Sequence, residues 1–141
     1  MFTIEELKEY GANTEEGLSR CMNMEAFYIR MVQSFVDTFS ETDIQNAVLE
    51  GDLFRIFELV HSVKGVAANL SLTPIEQPTV VISDQLRKWS KPEDREAIAS
   101  GMSKEEIIAY QAKLLEEVKP QVNEMLRQFE RLKNIGKHNN S

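Results

Sequence analysis

Helical periodicity is the feature that most constrains how this 141-residue chain folds. Apolar residues recur at intervals of three and four in every periodic segment, a spacing that places them on one face of an α-helix. No segment shows the convincing two-residue alternation of a strand. A chain of this length forms one domain by the usual prior and can bury a substantial core. We therefore predict an all-α protein whose helices bury their apolar stripes against one another.

Capping residues and apolar stripes divide the chain into predicted segments. Helices are expected over residues 3–10, 14–22, 24–39, 42–49, 52–72, 79–89 and 104–133. Pro78 falls inside the turn that Pro74 would begin, so residues 73–78 are predicted to form an irregular entry. The polar stretch 90–102 is predicted to be a connecting loop with room for a helical turn. Pro120 leaves the phase of the last stripe unchanged, which predicts one kinked helix.

Long amphipathic helices with short connections favour an antiparallel four-helix bundle with short additional N-terminal helices. The predicted organisation is a single domain over residues 1–141. Within it, residues 1–22 form the short N-terminal helices, 23–134 form the bundle, and 135–141 form a frayed polar tail.

Composition excludes several classes of function. A net charge of −7 argues against binding to nucleic acid, which requires a basic face. Apolar runs are too short to cross a membrane, and the first residues lack the features of a signal peptide. A single cysteine, Cys21, cannot form an internal disulfide and is expected to be a small apolar filler. These features predict a cytoplasmic protein, and we expect it to be a monomer.

Known motifs for cofactors and metals are missing from the sequence. It contains no glycine-rich phosphate loop, no HExxH, no EF-hand ligand series and no Cys/His cluster. With two histidines and one cysteine, a transition-metal site is not expected. His138 lies in the predicted tail and is expected to be solvated and inactive. We therefore expect no cofactor and no metal.

The most informative motif lies in the predicted helix 52–72. Its apolar positions form one stripe: Leu53, Ile56, Phe57, Val60, Val63, Ala67 and Leu70. Because a helix turns 100° per residue, His61, Lys64, Gly65 and Ala68 share a second stripe, rotated by about 100° from the first. The sequence therefore predicts a histidine at the edge of the core, with a cation and a glycine within one turn of it.

These residue types fit a carrier of phosphoryl groups. A neutral imidazole is a good nucleophile near pH 7, and a phosphorylated ring nitrogen is a good leaving group. Lys64 would supply the counter-charge, because His61 is too far from the helix end to use the dipole. Glycine costs roughly 1 kcal/mol relative to alanine inside a helix, and Gly65 would compensate by leaving room for the phosphoryl group and a partner. Each residue also has a purely structural interpretation. His61 could be a hydrogen-bonded structural histidine, Lys64 a solvated surface charge, and Gly65 a glycine that lets two helices pack closely.

The run from Val60 to Leu70, VHSVKGVAANL, resembles the signature of histidine-containing phosphotransfer (HPt) domains of bacterial signalling systems. That family's pattern is histidine, two residues, lysine and glycine, followed by an asparagine–leucine pair. Two further stretches are similar to the family. One is residues 16–20 together with the later Tyr28, Val32 and Phe35, and the other is the Gly51–Asp52 pair that precedes the histidine helix. The resemblance covers roughly residues 10–90 by motif. Members often have glycine where this chain has Ser71, and Pro78 and the long stretch 90–102 are further departures.

The resemblance implies a four-helix bundle whose histidine exchanges phosphoryl groups with aspartates of receiver domains. His61 would then be the phosphorylated residue, Lys64 the phosphate partner and Gly65 the clearance residue, while Ala68 would contribute to docking. The phosphoryl group would come from an upstream sensor kinase, since this chain has no room for an ATP-binding kinase domain. Mg²⁺ would be held by the receiver. The alternative is a binding module that sequesters a receiver domain, or another signalling protein, without carrying phosphate.

Overall fold

Helices make up all of the regular structure in the computed structural model, which describes residues 1–138. In chain order they are α1 (Ile4–Tyr10), α2 (Thr14–Arg20), α3 (Glu25–Thr38), α4 (Glu41–Glu50), α5 (Leu53–Asn69), α6 (Thr73–Leu86), a 3₁₀ turn (Arg87–Trp89), α7 (Pro92–Ala99) and α8 (Lys104–His138). The prediction of an all-α helical bundle is therefore confirmed.

Helix α6 lies at the centre of the bundle and packs along both α5 and α8, while α3 packs on α8 and α4 on α5. Only residues 70–72 join α5 to α6, and so short a connection makes neighbouring helices antiparallel. The core side chains come from several helices and are excluded from solvent: they include Tyr28, Val32, Ile56, Val60, Ile75, Ile82, Val118, Met125 and Phe129. Their burial is the main stabilising contribution to the fold.

The N-terminal helix α1 is tied to the last helix. Thr3 and Glu6 form a capping box at its start, and Gly11 ends it with a φ of 112°, which favours glycine. The buried Tyr10 hydroxyl donates a hydrogen bond to the Gln128 carbonyl at 2.9 Å. The Arg131 guanidinium donates to the Tyr10 carbonyl at 2.8 Å and lies over the Tyr10 ring, 4.5 Å from its centroid.

The predicted irregular entry at residues 73–78 is wrong, because α6 begins at Thr73 and continues through Pro78. Pro74 occupies the first turn, where a missing N–H costs nothing. Pro78 cannot donate to the Pro74 carbonyl, which normally makes such a position unfavourable. Its ring is buried between the helices, however, and the flanking Ile75 and Thr79 are fully buried as well. Packing against the core therefore outweighs the lost hydrogen bond.

The predicted loop 90–102 contains more structure than a single turn. Residues 92–99 form the two-turn helix α7, which begins with Pro92 in its first turn. The Arg95 side chain donates to the Trp89 carbonyl at 2.9 Å, and Ile98 packs against the core. These contacts fold the connection back onto the bundle, which its polar composition did not indicate.

The last helix begins at Lys104 as predicted, but it ends later than predicted. It is one helix through Pro120, as expected, and Ile108 near its start is 65% exposed. The frayed tail predicted from residue 135 is wrong for residues 135–138, which continue α8. Gly136 is buried there against the Phe2 ring, so the helix has a packing partner beyond its periodic stripe. Residues 139–141 and the side chain of His138 lie outside the described part of the chain.

Candidate functional site

Helix α5 presents a buried face and a solvent face. The Asp52 carboxylate caps its start by accepting the Arg55 N–H at 3.0 Å. Ile56, Val60 and Ala67 are excluded from solvent and fix the rotation of the helix about its axis. This anchoring determines which residues between positions 52 and 70 face solvent.

The four candidate residues lie along the solvent side of α5. His61 and Gly65 are exposed, whereas Lys64 and Ala68 are half-buried. Residues three and four apart in a helix are surface neighbours, so the Lys64 and Gly65 positions lie one turn beyond His61. The imidazole is therefore accessible to a large partner, beside a cation and an open stretch of backbone.

An aromatic ring orients the histidine from the preceding turn. The Phe57 and His61 rings are stacked, with centroids 5.7 Å apart and planes inclined by 16°. Phe57 is half-buried and packs against the core, so it offers the imidazole a fixed surface. One turn earlier, Phe54 is 43% exposed, and the Arg95 guanidinium of α7 lies 5.2 Å from its ring centroid. The sequence reading assigned Phe57 to the core stripe alone, although its i, i+4 spacing from His61 is the signal for this contact.

Gly65 has open space where a side chain would lie. A Cβ atom built on it would meet no atom within 4 Å outside its own helix and chain neighbours. Gly17 in α2 is the opposite case, because a Cβ there would lie 2.6 Å from the Tyr28 ring. Gly65 is therefore not a helix-packing glycine, and the interpretation that it lets two helices pack closely is wrong.

Two side chains from the N-terminal half secure the end of α5. The Arg20 guanidinium donates to the Ala68 carbonyl at 2.6 Å and to the Ser71 hydroxyl at 2.8 Å, and it also pairs with Glu16. The Tyr28 hydroxyl donates to the Leu70 carbonyl at 2.7 Å, and burial raises the pKa of Tyr28 to about 12. Arg20 thus acts as a cap for carbonyls that a helix end leaves without partners. No pattern local to residues 60–70 could have revealed a partner 48 positions earlier.

Ser71 terminates the helix with a φ of 55°, a left-handed conformation that glycine adopts most easily. Its carbonyl accepts the Asn13 N–H at 2.9 Å, and its hydroxyl accepts from Arg20. These contacts hold a strained residue in place.

Across residues 1–138, no group of three or more His, Cys, Asp or Glu side chains is arranged to hold a metal ion. None of the helices in that range combines the length and apolarity that a membrane span requires.

Comparison with known proteins identifies the family. The model of the Hpt domain matches residues 30–134, which is more than half of the chain. The comparison with curated proteins gives no match, and neither does the comparison with solved structures. The chain belongs to the Hpt domain family, whose members are carriers in histidine phosphotransfer, interact with receiver and kinase partners of two-component systems, and are not themselves kinases.

Proposed function

We propose that this Hpt domain carries a phosphoryl group on His61, taking it from the aspartyl phosphate of one receiver domain and passing it to the aspartate of another. The observation that carries the proposal is the exposed imidazole on the solvent face of α5, one turn from Lys64 and Gly65. A sensor kinase upstream would be the source of the phosphoryl group. The protein would act as a monomer in the cytoplasm, where a lone cysteine such as Cys21 stays reduced.

The transfer is a nucleophilic displacement at phosphorus. The unprotonated ring nitrogen of His61 attacks the phosphorus of the aspartyl phosphate, forming an N–P bond as the P–O bond to the aspartate breaks. The aspartate leaves as a carboxylate, and the second ring nitrogen keeps its proton. Mg²⁺ held by the receiver would neutralise charge on the phosphoryl oxygens. Running the same step in reverse onto another aspartate completes the relay.

Lys64 would stabilise the phosphorylated state. A phosphoryl group on His61 carries negative oxygens that need a counter-charge, and His61 is eight residues from the start of α5 at Leu53. The helix dipole acts only near the terminal turns, so it contributes little at this position. The half-buried Lys64 lies one turn away on the same face and can supply a charge-assisted hydrogen bond.

Gly65 and the surface beyond it would receive the partner. The open space over Gly65 lets a receiver approach the imidazole closely. Beside it, Val66 is 39% exposed, and Phe54, two turns before His61 on the same helix, is 43% exposed. Apolar side chains of this kind, exposed next to a reactive group, mark sites of protein interaction. Ala68, half-buried on the same face, would lie at the margin of this docking surface.

We also propose that residues 1–138 act as one domain, although the family match begins at residue 30 within α3. The contacts of Tyr10 with α8 and of Arg20 with the end of α5 support this proposal. Phe2, Leu7 and Tyr10 also belong to the same core cluster as the residues of the bundle. Removing the N-terminal helices would uncover that part of the core.

Phosphorylation of two single-histidine variants tests the proposed function. The chain has two histidines, so His61→Gln and His138→Gln form a matched pair. Each variant is mixed with a receiver domain, radiolabelled acetyl phosphate and Mg²⁺, and the acid-labile, base-stable label is counted. We expect label on the wild type and on His138→Gln but none on His61→Gln. Persistent label on a folded His61→Gln protein would refute the assignment, while a wild type that binds the receiver without label would indicate sequestration.

A further inference from the structure

A groove runs along the edge of α5, beside the face that holds His61. It has a volume of about 220 Å³ and lies between the end of α3, the start of α4 and the middle of α5. Its lining consists of Phe35, Thr38, Phe39, Ser40, Asp43, Ile44, Leu59, Ser62, Val63 and Val66. This volume is below the roughly 300–1,000 Å³ of small-molecule sites, so the groove suits a single protein side chain better than a metabolite.

The buried residues that line the groove form its floor, and the exposed residues form its rim. The buried Phe35, Ile44 and Val63 make the floor apolar. The rim is polar and includes one charged group, the exposed carboxylate of Asp43, while no lysine or arginine lines the groove. Asp43 lies in the first turn of α4, and its full negative charge exceeds the roughly half positive charge of a helix N-terminus. The groove therefore combines an apolar floor with a negative rim.

The groove is continuous with the phosphotransfer face. Ser62, which follows His61 directly, and Val66, which follows Gly65, both line it. A protein partner of standard size covers about 800 Å² of surface on each side, which is far more than one turn of helix. A receiver seated over His61 therefore also covers the groove.

We propose that the groove accepts a lysine or arginine side chain of the receiver domain, with its apolar stem on the floor and its charged end beside Asp43. Long basic side chains bury their methylene groups on apolar surface while keeping the charge at a polar edge. This inference rests on the proposed function, because it takes a receiver as the partner. It assigns Asp43 the role of a specificity-determining residue that selects among receivers.

A charge-reversal pair tests the inference. Asp43→Lys reverses the charge at the rim, and Asp37→Lys makes the same change of net charge on α3, at an exposed residue outside the groove. Transfer is measured from a receiver domain phosphorylated with acetyl phosphate and Mg²⁺, over a range of receiver concentrations. We expect Asp43→Lys to lower kcat/KM about tenfold through KM, and Asp37→Lys to change it less than about twofold, because like charges brought together at an interface slow association.

Two further measurements separate specificity from loss of structure. Asp43→Asn removes the charge with little change of shape, and we expect it to give an intermediate effect. Replacing, one at a time, the receiver's exposed lysines and arginines by glutamate should yield one receiver that transfers faster with Asp43→Lys than with the wild type. Equal kcat/KM for Asp43→Lys and Asp37→Lys, with the wild type active, would overturn the groove inference alone. A wild type that takes no label would overturn the proposed function first.

Discussion

Replacing Gly65 by alanine should stabilise the protein. Gly65 lies inside α5, and a Cβ atom there would meet no atom within 4 Å outside its own helix and chain neighbours. The new methyl group therefore creates no clash, while glycine in a helix interior costs up to about 1 kcal/mol relative to alanine. For a chain of this size, that gain corresponds to a rise in Tm of about 3–5 °C. Thermal unfolding followed by circular dichroism measures it directly.

Gly17→Ala is the matched control, because the same substitution meets the opposite environment. A Cβ atom on Gly17 would lie 2.6 Å from the Tyr28 ring. That ring is fully buried, and its hydroxyl is bound to the Leu70 carbonyl, so it has little freedom to move. Overpacking of this kind typically costs 1–3 kcal/mol, so Gly17→Ala should lower Tm.

A longer side chain at Gly65 should separate stability from function. Gly65→Gln projects into the open space over His61, so the fold should keep its stability to within about 0.5 kcal/mol, as other exposed changes do. Phosphotransfer from a receiver should nevertheless fall at least tenfold, because misplacing reacting groups by about 1 Å can cost a hundredfold. Two results would refute the reasoning: a Gly65→Gln protein that unfolds at a much lower temperature, or one that transfers at the wild-type rate.

Two further predictions concern charge and pH. Lys64→Ala should destabilise the phosphorylated state by about 1.5–3 kcal/mol, the value of a charge-assisted hydrogen bond. It should change the free energy of unfolding of the unphosphorylated protein by less than about 0.5 kcal/mol. An unchanged rate of phosphotransfer or a large drop in Tm would contradict this prediction. Because burial raises the pKa of Tyr28 from 10.0 to about 12, the protein should lose about 2–3 kcal/mol of stability as pH rises through this range. Urea unfolding of Tyr28→Phe should show a shallower loss over the same pH interval, and an identical slope would contradict the assignment.

The helices that could be predicted from the sequence are those whose evidence is local. Each of these signals involves residues only a few positions apart. They are the helix cap at Asp52, the left-handed helix ends at Gly11 and Gly51, and the apolar stripe of residues 53–70. The placement of His61 on the solvent side of that stripe follows from the same periodicity. Local hydrogen bonds and the 3.6-residue turn are sufficient to specify these features.

The features that were missed depend on contacts between distant residues. Pro78 is tolerated because its ring is buried between helices, and α7 is held by the contacts of Arg95 and Ile98 with the rest of the molecule. Arg20 reaches a helix end 48 positions away. Tertiary packing of this kind overrides local propensity, and no periodic pattern encodes the partner of a side chain that crosses the fold.

The contacts of Tyr10 with Gln128 and Arg131 have a consequence for synthesis. They join residues separated by 118 and 121 positions, so α1 cannot complete its packing until residues 128 and 131 of α8 have been made. At about 5–20 residues per second, a ribosome needs roughly 6–24 s to add that many residues. During this interval the apolar Leu7 and Tyr10, which are buried in the finished protein, remain uncovered. Helix α1 of the nascent chain is therefore open to chaperones and to aggregation until α8 has left the ribosome.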